Sequence, residues 1–452
     1  NMVLEPRVSF NYNFDSDYKT QLRGGVGIFQ SSPPAVWLSN PYANNGVTLA
    51  SYTSFDPSKV PFSPDPFHQN IPSSGPPPFA VDTIAKDFKL PNSLKFSLAL
   101  DRELPWWGLI ASAEYVHVQV IDGILYQAIN FGAPTGLLPD GRQQFWKTPG
   151  EAPKSSDALA NQNRAFSTQS TLLTNTHNGK SDTFTLGVNK PFNSSLSGGA
   201  SITFSHATDV DPGLDTIAYS GYQRTARLNP NADIPGTSNY NVPRSIKLSL
   251  NWQHNFIDNL RTQASVFYSG RTGNPYTWTF SNDANGDSIS GFDPAYIPAA
   301  NDPKVAFAAG TSPAVIQQFE DFLAHDKYLS GHRGMIAGRN SAHLAWANQL
   351  DLSFAQEVPG IWGKGEVRFD IFNFLNLLNN KWGEQQVAGL YNTRNLVGYG
   401  GVNANGQYVY TLPTDKNGNY QPQALAFYDG GFYDPSRVVS RWSVMVTLRY
   451  KF

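Results

Sequence analysis

The chain of 452 residues contains no cysteine, which excludes disulfide staples, thiolate metal ligands and Cys–His nucleophiles. Charge is also scarce. Asp, Glu, Lys and Arg make up 15%, well below the roughly 25% of an ordinary soluble domain. No apolar run approaches the ~18 residues that a membrane-spanning helix needs. The net charge of −2 leaves no basic footprint for nucleic acid. HExxH, GxSxG and phosphate-loop patterns are missing, so the residues give no support to an enzyme.

What is present is aromatic residues at 13%, with 38 Gly and 32 Pro, and a repeated period of two. At the C-terminus Trp442, Val444, Val446, Leu448, Tyr450 and Phe452 alternate with Arg441, Ser443, Met445, Thr447, Arg449 and Lys451. Such alternation gives a strand with one apolar and one polar face. Ten further segments share it. Val8 to Phe14, Leu94 to Asp101, Phe184 to Val188, Leu196 to Phe204 and Ile246 to Trp252 are clear. Leu22 to Ile28, Leu109 to Tyr115, Leu260 to Tyr268, Leu350 to Phe354 and Val367 to Ile371 are weaker. Together they predict about eleven strands of about ten residues, the length that crosses a bilayer at a tilt.

Connections alternate between short turns near residues 15–19, 103–108, 190–195, 255–259 and 359–363 and long polar segments near 30–91, 119–180, 207–243, 271–346 and 380–437. Few charges, many aromatics and this asymmetry predict an all-β protein: an antiparallel transmembrane β-barrel with long extracellular loops, in the bacterial outer membrane. The absence of cysteine suits a chain that crosses an oxidising compartment unfolded. Trp106, Trp107, Phe192, Phe256 and Trp362 lie at the short turns, where membrane-interface aromatics are expected. Ordinary turn packing is the alternative for them. A terminal strand ending on Tyr450 and Phe452 looks like the assembly signal of bacterial outer-membrane barrels, read by the barrel assembly machinery.

Eleven is an odd number, whereas single-chain bacterial barrels have even numbers of strands. An open sheet in lipid would leave backbone groups unpaired at several kcal/mol each. Residues 1–452 are therefore expected to be part of something larger. The chain opens on Asn1 without a signal peptide, which agrees with processing or a longer parent polypeptide.

Local wording supports a resemblance. Pro6-Arg7-Val8-Ser9-Phe10, Leu22 to Gly27, Tyr268-Ser269-Gly270-Arg271-Thr272-Gly273-Asn274-Pro275-Tyr276, Asn348 to Phe354, Phe369 to Asn379 and Leu448-Arg449-Tyr450-Lys451-Phe452 occur in this order. With Tyr328 to Gly334 and Arg339-Asn340, they resemble the C-terminal half of Oar-like TonB-dependent outer-membrane transporters. The resemblance implies about 22 strands around an N-terminal plug whose TonB box contacts the inner-membrane energy complex. Plug, TonB box and N-terminal strands are absent from this chain. The implied function is uptake of a bulky ligand, such as an oligosaccharide or peptide. The alternative is a non-transporting surface barrel that binds another envelope component.

Several groups of candidate residues stand out. Asp283, Asn285 and Asp287 carry alternate oxygen ligands in Asn282-Asp283-Ala284-Asn285-Gly286-Asp287-Ser288. That arrangement suits Ca²⁺, with Asp293 as a further ligand, although the glycine position and the lack of a closing Glu differ from an EF-hand. An Asn-Gly turn with solvated carboxylates is the alternative. Asn405-Gly406 and Asn417-Gly418 read as hairpin tips on strands extending past the membrane. Tyr276, Trp278, Tyr391, Tyr399, Tyr428, Phe432 and Tyr433 form a candidate ligand platform, or else pack the loops together. Arg23, Lys95, Asp101, Glu114, Lys247, Asp351, Arg368 and Asp370 belong to the inward face, where holding a plug is the main role expected. His325, His332 and His343, with Asp321 and Asp326, match no catalytic pattern. Ser312 to Asp326 reads instead as a helix capped by Ser312, with Val315, Ile316, Phe319, Phe322 and Leu323 on one face.

Overall fold

The structure is a computed structural model. It describes residues 4–32, 35–43, 45, 56, 58–70, 81–153, 162–163, 170–193, 195–215, 217–360, 363–427 and 440–451. All eleven alternating segments form strands. They are β1 (Arg7–Phe14), β2 (Thr20–Gln30), β3 (Asn92–Glu103), β4 (Ile110–Ala128), β5 (Lys180–Asn193) and β6 (Leu196–Asp209). The rest are β7 (Arg244–Ile257), β8 (Leu260–Arg271), β9 (Ala347–Pro359), β10 (Lys364–Phe372) and β11 (Ser443–Lys451). They pair in chain order as an antiparallel meander. Successive connections therefore fall at opposite ends, all short turns at one and all long segments at the other.

Register explains the alternation. Leu98, Tyr115, Phe184 and Phe204 lie side by side across β3 to β6. Leu250, Val266, Leu352, Ile371 and Val444 do the same across β7 to β11. These rows face outward, and none of the described residues covers them: Leu94, Phe96, Leu98 and Leu100 are 38% to 42% exposed. In water such a surface would be a large uncovered apolar patch, and in lipid it is the matching solvent. Gly24 stands where the Phe10 ring lies across the sheet, and a Cβ there would come within 2.8 Å of it. No helix among the described residues is long and apolar enough to cross a membrane, so crossing falls to the strands.

The opposite face is polar. Arg23 pairs with Asp101 at 2.9 Å, Arg368 with Asp370 at 2.8 Å and Arg449 with Glu366 at 3.8 Å. Lys95 and Glu114 line a groove with Arg23. Asp351, Arg368 and Asp370 line a larger groove of about 810 Å³. Lys247 stands between Ser201 and Ser269 on the same face. Phe267, between Ser249 and Asp351, and Met445, opposite Asp370, interrupt the polarity. Among the described residues β1 and β11 are each paired on one side alone, so the sheet is open.

The described parts of the fourth and fifth long connections are folded. Pro275–Phe280 pairs in parallel with Thr393–Val402, and Val305–Phe307 in parallel with Tyr408–Thr411. With Ala342–His343 these segments make a second, five-stranded sheet. The helix Pro313–His325 starts as its sequence predicts, with the Ser312 side chain accepting from the Val315 amide at 3.3 Å. It buries Val315, Phe319 and Leu323. Trp146, Trp278, Phe280, Leu396, Tyr399, Tyr408 and Tyr410 join Phe319 and Leu323 in one core. Asn405-Gly406 does tip a hairpin, closed by Asn403 and Gln407, but its strands belong to this second sheet rather than extending the wall. Asn417-Gly418 turns between Asp415 and Asn419, flanked by the single bridge Thr414–Tyr420.

Candidate functional site

The turn Asn282–Ser288 follows the strand Pro275–Phe280 of the second sheet. Asn282 anchors it by a two-point bond to the Tyr399 backbone: its amide donates to the carbonyl at 2.9 Å, and its oxygen accepts from the N–H at 2.8 Å. Beyond it, side-chain oxygens curl the backbone back on itself. Asp283 accepts from the amides of Gly286 and Ser288 at 2.6 and 2.7 Å, Asn285 from Asp287 at 2.9 Å, and Asp287 from Ile289 at 2.9 Å. Asp293 returns to accept from the Ala284 amide at 2.8 Å. Gly286 has φ +81°, and a Cβ on it would strike the Trp146 backbone nitrogen at 2.6 Å, so glycine is required on both counts.

The carboxylates are not solvated. Asp283, Asp287 and Asp293 are 7%, 7% and 3% exposed, which overturns the solvated-turn alternative. One oxygen from each lies within 4.8 Å of the others. Burial, then the charge of Asp293, pushes Asp283 up to about 8. Burial with the charges of Asp293 and Asp283 raises Asp287 well above the usual carboxylate range. Burial also raises Asp293 to about 6, against the pull of the Arg142 guanidinium. Three buried carboxylates this close cannot remain ionised together without a counter-charge.

The surrounding wall comes from other connections. The Phe145 amide donates to the Asn285 carbonyl at 2.6 Å, and the Trp146 indole to that of Ala284 at 3.0 Å. Arg142, fully buried, donates to Asp140 at 2.6 Å and to the Pro294 carbonyl at 2.5 Å. Asp140, Arg142 and Trp146 escaped the sequence reading. Their only local signal is the Pro139-Asp140-Gly141 turn, and nothing in it points across more than a hundred residues to Asp283.

The aromatic platform is corrected at three of its seven residues. Tyr276, Trp278 and Tyr399 are 4%, 0% and 1% exposed, so they hold the loops together and offer no face to a ligand. Tyr391 is half-buried, packed against Phe292 and under the Arg224 guanidinium. Tyr428, Phe432 and Tyr433 lie outside the described residues, as do Trp362, Phe452 and the side chain of Phe192. Trp106, Trp107 and Phe256 stand exposed at the short-turn end, and Tyr450 is exposed on β11. The histidines do not converge. His325 and His332 each meet the backbone carbonyl four residues back, and His343 is in the second sheet.

The model of the outer membrane beta barrel domain family matches residues 1–389. The chain belongs to that family. As an outer-membrane barrel domain it sits in the bacterial outer membrane, its apolar rows against lipid. Among curated sequences no protein matches it. Solved structures similar to it include the outer membrane transporter YddB from Escherichia coli, at 10% identity and TM-score 0.40, covering 87% of this chain and 37% of YddB. A mutant of the ferric enterobactin receptor PfeA from Pseudomonas aeruginosa is 10% identical at TM-score 0.38, over 90% of this chain and 38% of PfeA. The FrpB iron transporter from Neisseria meningitidis is 9% identical at TM-score 0.28, over 81% and 38%. The barrel domain thus spans less than two-fifths of the length of these structures.

Proposed function

We propose that this domain is the C-terminal part of an Oar-like TonB-dependent receptor that takes up a bulky ligand, an oligosaccharide or peptide, through a plugged barrel. The observation that carries the reading is the open wall. Its eleven antiparallel strands make β1 and β11 run in the same direction, so closure into an antiparallel barrel needs an odd number of further strands. Another eleven give 22, a barrel too wide to leave unplugged without compromising the membrane. Ion pairs such as Arg23–Asp101 and Arg368–Asp370 supply an inner face on which a plug can rest. Trp106, Trp107 and Phe256 act as the girdle at the short-turn end, and β11 with Tyr450 and Phe452 is read by the assembly machinery.

The test is the intact mass and N-terminal sequence of the polypeptide from native outer membranes. A chain of about 22 strands that begins with a plug and a TonB box, and is retained by immobilised TonB, supports uptake. A plug without the box makes the domain a surface scaffold instead. A polypeptide no longer than these 452 residues overturns the reading.

A further inference from the structure

The acidic turn lies where four of the five long connections meet, and two of them bring it a buried hydroxyl with no partner. Tyr399, in Thr393–Val402, is 1% exposed, and Tyr222, in the short helix Ala218–Gln223, is 0% exposed. Neither phenol oxygen makes a hydrogen bond, an arrangement that native interiors avoid. Tyr399 is bonded through its backbone to Asn282 and stacks on Trp146, whose indole holds Ala284, and Tyr222 packs in one cluster with Ile289. After burial, the strongest influence on the Tyr399 phenol is the charge of Asp283, and on the Tyr222 phenol that of Asp287.

We propose that Asp283, Asp287 and Asp293 bind one calcium ion, with the hydroxyls of Tyr399 and Tyr222 bonded to its water ligands, and that this ion ties the long connections into one layer. The spacing fits. Two oxygens on opposite sides of one Ca²⁺ are about 4.6 to 5.2 Å apart, twice the Ca–O distance, and the three carboxylate oxygens lie within 4.8 Å of one another. The donor set is all oxygen, with no histidine in the cluster, which favours calcium over zinc. Calcium also tolerates the irregular six to eight ligands that a curled turn and waters provide, whereas magnesium demands a near-ideal octahedron. The amide bonds already made to the carboxylates leave lone pairs for the ion, since each oxygen has two. Charge agrees as well. Arg142, whose guanidinium attracts Asp293, also pairs with Asp140, so its single charge is shared.

Each connection contributes one part: Phe145 and Trp146 from the second, Tyr222 from the third, the acidic turn from the fourth, Tyr399 from the fifth. The ion is therefore a cross-link between segments distant in sequence, and it stabilises the layer by mass action. This inference stands apart from uptake, because it is read on purified protein without ligand or TonB.

The experiment uses the intact protein in detergent, stripped with EDTA and re-equilibrated with calcium chloride. Its metal content is measured beside that of Asp287→Asn, and terbium luminescence is excited through the adjoining Trp146. The wild type is expected to retain one more calcium per chain than the variant. It is also expected to sensitise terbium, and to resist trypsin in the long connections only when calcium is present. Where Asp287→Asn fails to fold, Tyr399→Phe leaves every carboxylate in place and weakens calcium binding by about two- to tenfold, the loss of one hydrogen bond. Equal calcium content in wild type and Asp287→Asn, or unchanged affinity in Tyr399→Phe with no terbium signal, overturns the proposal.

Discussion

The wall and the loop layer are made by the same chain under opposite packing rules. On the wall, Phe96, Leu98 and Leu100 stand exposed while Arg23 and Asp101 pair on the inner face. In the loop layer Trp278, Phe280 and Tyr410 are wholly buried in a shared aromatic core. The wall has lipid for its apolar solvent and therefore needs no core of its own. The loops stand in water, and they hold together because the second, fourth and fifth long connections pool their aromatics into one core, with a smaller second core that the first and third connections join. The two regions must then fail differently.

The sharpest break is Trp278→Ala, which removes the indole at the centre of the loop core and costs about 3–5 kcal/mol. Proteases are expected to cut the long connections of this variant while the wall keeps its resistance to unfolding by SDS at room temperature. Joint loss of both would show that the wall depends on the loop layer. Next comes the pair Leu98→Arg and Ser97→Arg, neighbours on opposite faces of β3. The first places a charge against lipid at a cost of about 2–4 kcal/mol near the midplane, and the second faces the polar interior. The folded fraction in lipid vesicles should fall for Leu98→Arg alone, and equal losses would erase the distinction between faces.

Smaller effects sharpen the loop side. Ser312→Ala removes the cap of Pro313–His325 and costs about 1 kcal/mol, read as faster hydrogen exchange at the Val315 amide with the wall unchanged. The smallest effect concerns pH. Burial, reinforced by the charge of Lys327 and opposed by the Ser341 contact, holds the His343 imidazole below its ordinary pKa. The unfolded chain then binds that proton more readily, so this part of loop stability is present at neutral pH and lost as pH falls through the ordinary histidine value. Between about pH 7.5 and pH 5, trypsin sensitivity should rise less in His343→Gln than in the wild type.

The same contrast explains what could be read in the sequence. Every wall strand showed, because a strand between lipid and a polar interior must alternate, and alternation is visible locally. The second sheet did not show. Pro275–Phe280 is buried at every position, so it carries no period of two, and its partner Thr393–Val402 lies more than a hundred residues on. The helix was legible because the Ser312 cap and the spacing of Val315, Phe319 and Leu323 are local features. Asp283, Asn285, Asp287 and Asp293 were legible by spacing. Asp140, Arg142, Trp146 and Tyr222 were not, since they reach the turn only through tertiary contact. The aromatics misled for a related reason: Tyr276, Trp278 and Tyr399 read alike whether they face a ligand or a core.

The most direct test of the central claim exploits the missing cysteines. Single cysteines placed one at a time from Leu94 to Asp101 on β3, each carrying a polarity-sensitive fluorophore, are measured in bilayers with a lipid-tethered quencher. Strong quenching is expected at 94, 96, 98 and 100 and weak quenching at 95, 97, 99 and 101. Uniform quenching, or none at any of the eight, would contradict a strand with one face in lipid and the other in a polar interior.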